Sequence, residues 1–179
     1  MNHPIHVIGL TGPIGSGKDT VAALLHTHCG AQVLAFADAL RAEIVESFCI
    51  EHAFLTRRET KEHPISALTL NRCLDSAFVG RMLMQHHALH PGTVLDLDAP
   101  RSPRQIMQWW GTEYRRAAQP GYWISKAAQH IHWLHKSQSS RLAVITDVRF
   151  EDEAILCAIW AARSGRSNAP AVMFPPAPT

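Results

Sequence analysis

The sequence IHVIGLTGPIGSGKDTVAALLHTH, residues 5–28, holds a strand pattern, a glycine-rich turn and a helix pattern in direct succession. Residues 5–10 are apolar and rich in β-branched side chains, which is typical of a buried parallel strand. Apolar residues at positions 21, 24 and 25 predict a helix over 19–28, and residues 32–37 predict a second strand. A strand, a turn, a helix and a strand in this order predict an α/β fold.

The rest of the chain continues this alternation. Further helices are predicted over residues 38–50, 68–90, 103–118, 123–136 and 151–163. Further strands are predicted over 141–146 and 171–174, and the segment 93–98 is interpreted as a loop because prolines follow it closely. We expect a single domain over residues 1–179, with a helical region at about 51–136 and an irregular tail at about 164–179.

Composition limits the classes of protein to consider. With 179 residues, 46% hydrophobic and 18% charged, the chain can form a globular domain without disulfide or metal staples. Its net charge of +2 provides no bulk attraction to nucleic acid or to a membrane. The four cysteines are scattered, no signal pattern is present, and no apolar stretch reaches the length of a membrane span. Reduced thiols and a cytoplasmic location are therefore expected.

The turn over residues 12–20 has a pattern of its own. Gly12 and the pair at 17–18 match the spacing GxxxxGK between a predicted strand and a predicted helix, where a glycine backbone can wrap closely around phosphates. Lys18 can neutralise the β- and γ-phosphates of a nucleotide. The pattern predicts a nucleotide-phosphate site, and a purely structural turn is the alternative. The residues of the expected nucleotide site are Gly12, Gly15, Ser16, Gly17, Lys18, Asp19 and Thr20.

The two residues after the lysine are expected to act near a metal ion. Many loops of this kind have a serine or threonine directly after the lysine, whereas here Asp19 stands first and Thr20 follows. Thr20 is expected to approach the phosphate or a metal-bound water. Asp19 is expected to contact the water shell of a magnesium ion or to cap the helix.

Five blocks of the sequence resemble the deoxynucleoside monophosphate kinases of phages and prophages. They are GPIGSGKDT at 12–20, FADALR at 36–41, RETKEHP at 58–64, SPRQIMQWWGTEYRR at 102–116 and VITDVRFEDEA at 144–154. The resemblance implies a three-layer P-loop kinase fold, in which helices flank a parallel sheet and a helical insertion binds the acceptor. It also implies transfer of the γ-phosphate of ATP to a deoxynucleoside 5′-monophosphate, with Mg²⁺ as cofactor.

The resemblance also suggests which side chains act on the substrates. Planar guanidinium groups suit two-point binding of phosphate, and polar residues that follow parallel strands line the crevice of an open sheet. The expected catalytic residues are Lys18, Arg104, Arg149 and Asp147. The expected acceptor-binding residues are Asp38, Arg41, Arg58, Arg104, Gln108, Glu113, Arg116 and Trp123. The alternatives are surface ion pairs for the arginines, helix caps for Asp38 and Asp147, and core positions for the tryptophans at 109, 110 and 123.

Beyond Ala154 the resemblance fades. The lid and the last strand of such kinases are expected to be missing or diverged, and Arg163 and Arg166 are the late arginines that could replace lid residues. ATP binding with slow transfer is then expected. The expected partners are ATP and a deoxynucleoside monophosphate, with homodimer formation left open. Neither a nucleic-acid polymer nor a membrane is expected.

Two other functions remain open. A dephospho-coenzyme A kinase has a similar phosphate loop but a different residue pair after the lysine, and the GTE block at 111–113 has no counterpart there. An inactive ATP-binding remnant of a nucleotide kinase is the other alternative. The histidines at 86, 87, 90, 130, 132 and 135 are interpreted as solvated helix faces, because no HExxH glutamate or nearby cysteine accompanies them.

Overall fold

The computed structural model describes residues 5–13, 15–57, 59–137, 140–163 and 172–173. The strands found there are β1 (His6–Leu10), β2 (Gln32–Leu34), β3 (Leu142–Ile145) and β4 (Val172–Met173). The α-helices are α1 (Lys18–Cys29), α2 (Phe36–Phe48), α3 (Ala53–Thr56), α4 (Ser76–Leu89), α5 (Pro103–Gln108), α6 (Tyr122–Ser137) and α7 (Glu151–Arg163). Trp109–Arg116 forms a π-helix, here called the π segment.

The chain divides into two compact units. Unit 1 comprises the described parts of residues 1–38 and 123–179, and unit 2 comprises Ala39–Tyr122. The division falls inside α2 and at the start of α6, so the bounds of unit 2 differ from the helical region expected at 51–136. Within the described residues, no helix is both long enough and apolar enough to cross a bilayer.

Unit 1 is an α/β unit built on a parallel sheet. The strands lie in the order β2-β3-β1-β4, and each neighbouring pair is parallel. The central strands β1 and β3 pair from His6 with Leu142 to Gly9 with Ile145. Central parallel strands are buried on both faces, which explains their continuous apolar sequence.

Helices cover both faces of this sheet. Leu10 packs with Ala22 of α1 and with Val144 in a buried cluster, and Ile8 lies against the same cluster. Side chains alternate along a strand, so Gly9 faces the opposite side, where Cys157 of α7 approaches it. Burial raises the pKa of the Cys157 thiol to about 11, so this thiol stays protonated at neutral pH. The α/β interpretation is confirmed, with α1 and α7 on the two sides of the sheet.

Unit 2 is largely helical around an aromatic core. Phe48 of α2, Phe78 of α4 and Trp110 of the π segment are all fully buried. The ring centroids of Phe78 and Trp110 lie 4.5 Å apart, and the ring centroid of Phe48 lies 6.4 Å from each of them. Contacts of this kind hold α2, α4 and the π segment together.

Most predicted elements are confirmed, but two bounds are wrong. The strand predicted over 32–37 ends at Leu34, because Phe36 and Ala37 begin α2. The helix predicted over 68–90 begins only at Ser76, because the Asp75 carboxylate accepts a hydrogen bond from Phe78 N and caps α4. Two 3₁₀ turns, Ser66–Leu68 and Leu70–Arg72, precede that cap.

The other predicted segments agree more closely. The helix predicted over 103–118 exists, although its middle is the π segment. Residues 93–98 form a loop, and the pair at 172–173 forms β4 beside β1. The rest of the expected tail lies outside the described residues, as do Arg58 and Arg166.

The narrow gap between β1 and α7 leads to a stability prediction. A Cβ at position 9 would lie 2.9 Å from Cys157 Sγ and 3.1 Å from Val148 Cγ2. Gly9→Ala should therefore lower the free energy of unfolding by about 1–3 kcal/mol, measured by urea denaturation. Cys157→Ala in the same chain should restore part of the loss, because it removes the closest atom. Additive effects of the two substitutions would contradict this account.

Candidate functional site

The loop between β1 and α1 has a backbone that depends on glycine. Gly15 and Gly17 have φ angles of 81° and 82°, a left-handed conformation that costs an ordinary side chain free energy. Apart from each glycine's chain neighbours, no atom of the described residues lies within 4 Å of a Cβ built on it, so the backbone conformation, rather than crowding, requires glycine. Gly17 is the N-cap of α1, and a glycine has no side chain with which to cap this helix end. The loop thus leads into the positive end of α1 without a side-chain cap from its N-cap residue.

The Lys18 ammonium is folded back over this loop. Lys18 Nζ donates hydrogen bonds to Gly12 O and Pro13 O, both at 2.7 Å, and lies 3.2 Å from Ser16 Oγ. Two carbonyl dipoles and a hydroxyl therefore hold the positively charged Lys18 ammonium in place. An anion in the loop could replace these neutral acceptors with negatively charged ones. Asp19 and Thr20 follow on the first turn of α1, and both are exposed.

A second loop of the same sheet edge follows β3. Asp147 Oδ1 accepts a hydrogen bond from Phe36 N at 2.7 Å, and Oδ2 accepts one from Ala37 N at 3.0 Å. Asp147 therefore caps α2 from a position more than 100 residues away in sequence. Burial raises the pKa of Asp147, although the two backbone donors and the nearby Arg149 oppose that rise.

Asp38 was expected to follow directly after a strand, but the structure places it elsewhere. It lies in the first turn of α2, where its Oδ2 accepts a hydrogen bond from Ala35 N at 2.8 Å. The expectation was wrong because β2 is three residues long and the Asp147 cap starts the helix at Phe36. A carboxylate in the first turn also interacts favourably with the helix dipole.

The connections of the strands identify a crevice at this edge. From β1 the chain continues to β2, at one edge of the sheet. From β3 it continues to β4, at the opposite edge. Ligands of open parallel sheets bind where two adjacent strands diverge in this way, outside their carboxyl ends. The loops after β1 and β3 meet there, since Val148 N donates to Leu10 O at 3.2 Å. The Lys18 loop and Asp147 thus belong to one sheet edge of unit 1.

Arg149 lies in the turn that begins α7. Its backbone N–H donates to Glu153 Oε2 at 2.8 Å, and Phe150 N donates to the same oxygen at 3.2 Å. The Glu153 side chain is buried, whereas Arg149 is exposed. Glu153 therefore fixes the backbone of this turn and leaves the guanidinium of Arg149 exposed at its surface.

The other expected site residues that the structure describes lie in unit 2, except Trp123. Arg104 forms an exposed ion pair with Glu62, with Nη1 and Oε1 at 2.8 Å. Such exposed pairs contribute little to stability. Gln108 Nε2 donates to Glu113 Oε1 at 3.3 Å, whereas Arg41 and Arg116 are half-buried. Trp123, at the start of α6 in unit 1, is 5% exposed.

A half-buried polar network surrounds Glu43, and the sequence analysis did not predict it. Glu43 Oε2 accepts hydrogen bonds from Trp110 Nε1 at 2.9 Å and from Arg115 Nε at 2.8 Å. Its Oε1 accepts one from the Tyr122 hydroxyl at 2.5 Å. Burial opposes ionisation of Glu43, but these three donors outweigh it and lower the pKa of Glu43. Burial and the Glu43 carboxylate raise the pKa of Tyr122 to about 12.

The π segment adds aromatic contacts and further hydrogen bonds to this network. Arg115 Cζ lies 5.5 Å from the ring centroid of Trp110 and 4.5 Å from that of Tyr114. The Tyr114 hydroxyl donates to both carboxylate oxygens of Asp75, at 3.2 Å and 3.1 Å. π-helical turns are rare and occur frequently at functional sites. This one coincides with the WWGTEYRR part of the block that carries the family resemblance.

The side chains beside the Lys18 loop are chemically compatible with a magnesium ion. Within the described residues, no three His, Cys, Asp or Glu side chains are grouped so as to hold a metal. Mg²⁺ is commonly held by one or two protein oxygens together with substrate phosphates. The exposed carboxylate of Asp19 and hydroxyl of Thr20 provide oxygens of that kind.

No model of a protein family matches this chain, and a search of curated proteins finds no relative. The geometry described above is therefore the basis on which a function can be proposed.

The Asp147 cap leads to a second stability prediction. Asp147→Ala removes both acceptors from the start of α2 and should lower the free energy of unfolding by about 1–2 kcal/mol. Asp147→Asn keeps an acceptor oxygen and should lose less. Glu46→Ala, an exposed change on the same helix, serves as the control. Equal urea midpoints for Asp147→Ala and the unchanged chain would show that the cap is not stabilising.

Proposed function

We propose that this chain is a P-loop kinase that transfers the γ-phosphate of ATP to a nucleoside or deoxynucleoside 5′-monophosphate. The observation that carries the proposal is the loop between β1 and α1, where Lys18 Nζ lies 2.7 Å from two loop carbonyls. A glycine-dependent loop, an open helix N-terminus and a lysine together make a site for phosphate. Its position at the diverging strands of a parallel sheet supports a nucleotide as the ligand.

On this proposal the chain positions phosphates and neutralises their charge. The backbone N–H groups of the loop and of the first turn of α1 hold the inner phosphates. Lys18 exchanges its carbonyl partners for phosphate oxygens, which attract an ammonium more strongly. Magnesium bound with ATP supplies further positive charge, and Asp19 and Thr20 are the residues proposed to face it.

The remaining proposed residues bind the transferred group and the acceptor. The exposed guanidinium of Arg149 and the carboxylate of Asp147 belong to the loop after β3, on the sheet edge of the Lys18 loop. Arg104 is proposed to exchange Glu62 for a phosphate, which offers a guanidinium the same two-point geometry. The proposed acceptor-binding residues are Asp38, Arg41, Arg58, Arg104, Gln108, Glu113, Arg116 and Trp123. A cytoplasmic location and small-molecule partners belong to the same proposal.

A substrate screen tests this function directly. The full chain is incubated with Mg·ATP and, separately, with each of the four common deoxynucleoside monophosphates, their ribose counterparts and dephospho-coenzyme A. We expect a nucleoside diphosphate to form together with an equal amount of ADP. Phosphorylation of dephospho-coenzyme A alone would favour the alternative kinase. ATP binding without transfer to any acceptor would indicate a nucleotide-binding remnant.

A further inference from the structure

The outer side of helix α6 carries positive charge together with an aromatic ring. Its residues Lys126, Gln129, His130, Trp133 and Lys136 are all exposed, and together they are here called the α6 face. Since each residue advances an α-helix by about 100°, these five positions lie within about one third of its circumference. Trp133 lies near the middle of that arc.

The opposite side of α6 is fixed in the core of unit 1. Trp123, Ile131 and Leu134 are all buried there. The helix is thus amphipathic, and its apolar side is already used for packing. Any partner of α6 must therefore bind through the α6 face.

The charge of this part of the chain is of one sign. α6 contains no Asp or Glu, and the whole stretch 114–146 has five Lys or Arg residues and no acidic residue. The net charge of +2 averages over the full chain and hides this local excess, which is why composition predicts no attraction to nucleic acid. A surface with this charge favours a negatively charged partner.

Trp133 is the feature of the α6 face that charge does not explain. This residue is 59% exposed, although burial of an indole is strongly favourable. The His130 ring lies beside it, with ring centroids 6.1 Å apart and an angle of 66° between the ring planes. An exposed indole among cationic side chains suits a ligand that offers both flat rings and negative charges.

The α6 face and the proposed nucleotide site lie toward opposite edges of the sheet. α6 ends only a few residues before β3 begins, so Lys136 lies toward the amino end of β3. The Lys18 loop instead follows the carboxyl end of β1, and β1 is parallel to β3. A ligand on the α6 face therefore leaves the phosphate loop open.

We propose that the α6 face binds single-stranded nucleic acid. Lys126 and Lys136, about 15 Å apart along the helix axis, attract the phosphates, and an unpaired base stacks on Trp133 between them. A duplex keeps its base faces stacked, so it engages the lysines but not the indole. This binding is additional to the proposed transfer reaction and does not depend on it.

Two other anionic partners suit the α6 face less well. An amphipathic helix binds a membrane by burying its apolar side, and in α6 that side is already packed in unit 1. The carboxylates of an acidic peptide pair with the lysines but give Trp133 no base to stack on. Both partners are therefore outcomes that the experiment must distinguish.

Fluorescence anisotropy of a labelled oligothymidylate, about 15 nucleotides long, measures binding to the full chain at low salt. We expect Trp133→Ala to weaken binding about tenfold, the effect of one lost stacking contact, and Trp133→Phe to retain most of the affinity. Lys136→Ala should also weaken binding and reduce its dependence on salt, because one phosphate contact is lost. Val94→Ala and Arg72→Ala, at exposed positions of unit 2, are the controls and should bind like the unchanged chain.

Lys18→Ala separates the α6 face from the phosphate loop. This variant should bind the oligonucleotide as the unchanged chain does, whereas Trp133→Ala should retain phosphoryl transfer. Oligonucleotide binding by a chain that transfers no phosphate would support the α6 face while the kinase proposal fails. Loss of oligonucleotide binding in Lys18→Ala would place the strand in the phosphate loop and overturn the inference.

Three further results would also overturn the inference. They are no binding of the oligonucleotide at low salt, equal binding by Trp133→Ala and the unchanged chain, and binding of polyglutamate as tight as that of the oligonucleotide. Binding to vesicles that contain anionic lipid, without binding to the oligonucleotide, would assign the α6 face to a membrane instead. Thermal unfolding checks that each variant is folded, which we expect because the substituted side chains are exposed.

Discussion

Lys18→Ala is expected to lower the rate of phosphoryl transfer by a factor on the order of 10³ or more. The substitution removes the charge that would neutralise the phosphate oxygens in the loop. The fold should survive, because the hydrogen bonds of the lysine to described residues go to the Gly12 and Pro13 carbonyls and to a serine hydroxyl in a partly exposed loop, where water can replace the ammonium. The measurement is diphosphate formation from Mg·ATP and the preferred monophosphate.

Two comparisons keep the Lys18 result interpretable. Lys136→Ala removes an exposed lysine at the end of α6 and should leave transfer unchanged. Lys18→Arg keeps the charge but alters its shape, so it should recover only part of the rate. Transfer by Lys18→Ala at a rate near that of the unchanged chain would exclude this loop as the catalytic phosphate site.

Glu43→Ala is expected to give the largest loss of stability, about 2–4 kcal/mol in the free energy of unfolding. The change leaves the indole N–H of Trp110, the hydroxyl of Tyr122 and the guanidinium of Arg115 without their shared acceptor. Asp75 remains 3.8 Å from Arg115, and both side chains are partly exposed, which keeps the loss below that of a fully buried ion pair. Urea denaturation measures the effect, with the exposed Glu46→Ala as the control.

The same carboxylate predicts a dependence on pH. Because folding lowers the pKa of Glu43, its stabilising contribution is present above the ordinary pKa of a glutamate and is lost as the pH falls through the lower, folded-state value. Glu43→Gln cannot ionise and should lack this part of the acid dependence. A Glu43→Gln chain whose stability falls with acid as steeply as that of the unchanged chain would contradict the assignment.

The sequence predicts an element well when the interactions that form it are between residues close together in the chain. The strand, loop and helix around Lys18 follow from short-range patterns, and the structure forms them within a residue or two of the predicted bounds. The start of α2 does not, because Phe36 and Ala37 receive their cap from Asp147, far along the chain. Residues 36–37 are apolar enough to extend a strand pattern, and only the folded arrangement turns them into a helix.

The Glu43 network was missed for a similar reason. Its members come from α2, the cap of α4, the π segment and the residue that begins α6, and no local pattern in the sequence connects these four stretches. A π-helix also has no hydrophobic period that separates it from an α-helix over eight residues. The aspartate before an apolar run, Asp75, was the one visible signal, since it is a preferred helix cap.

The π segment also constrains how descendants of this chain can vary. In an α-helix, residues five apart point about 140° away from each other, since each residue advances the helix by about 100°. Here Arg115 nevertheless lies over Trp110, five residues before it, while Trp109 and Glu113 line a small pocket of unit 2. Losing or gaining one residue between Trp109 and Arg116 would rotate these side chains out of alignment. Related chains should therefore keep the spacing of this stretch even where its letters change, and length differences should accumulate in the surface loops.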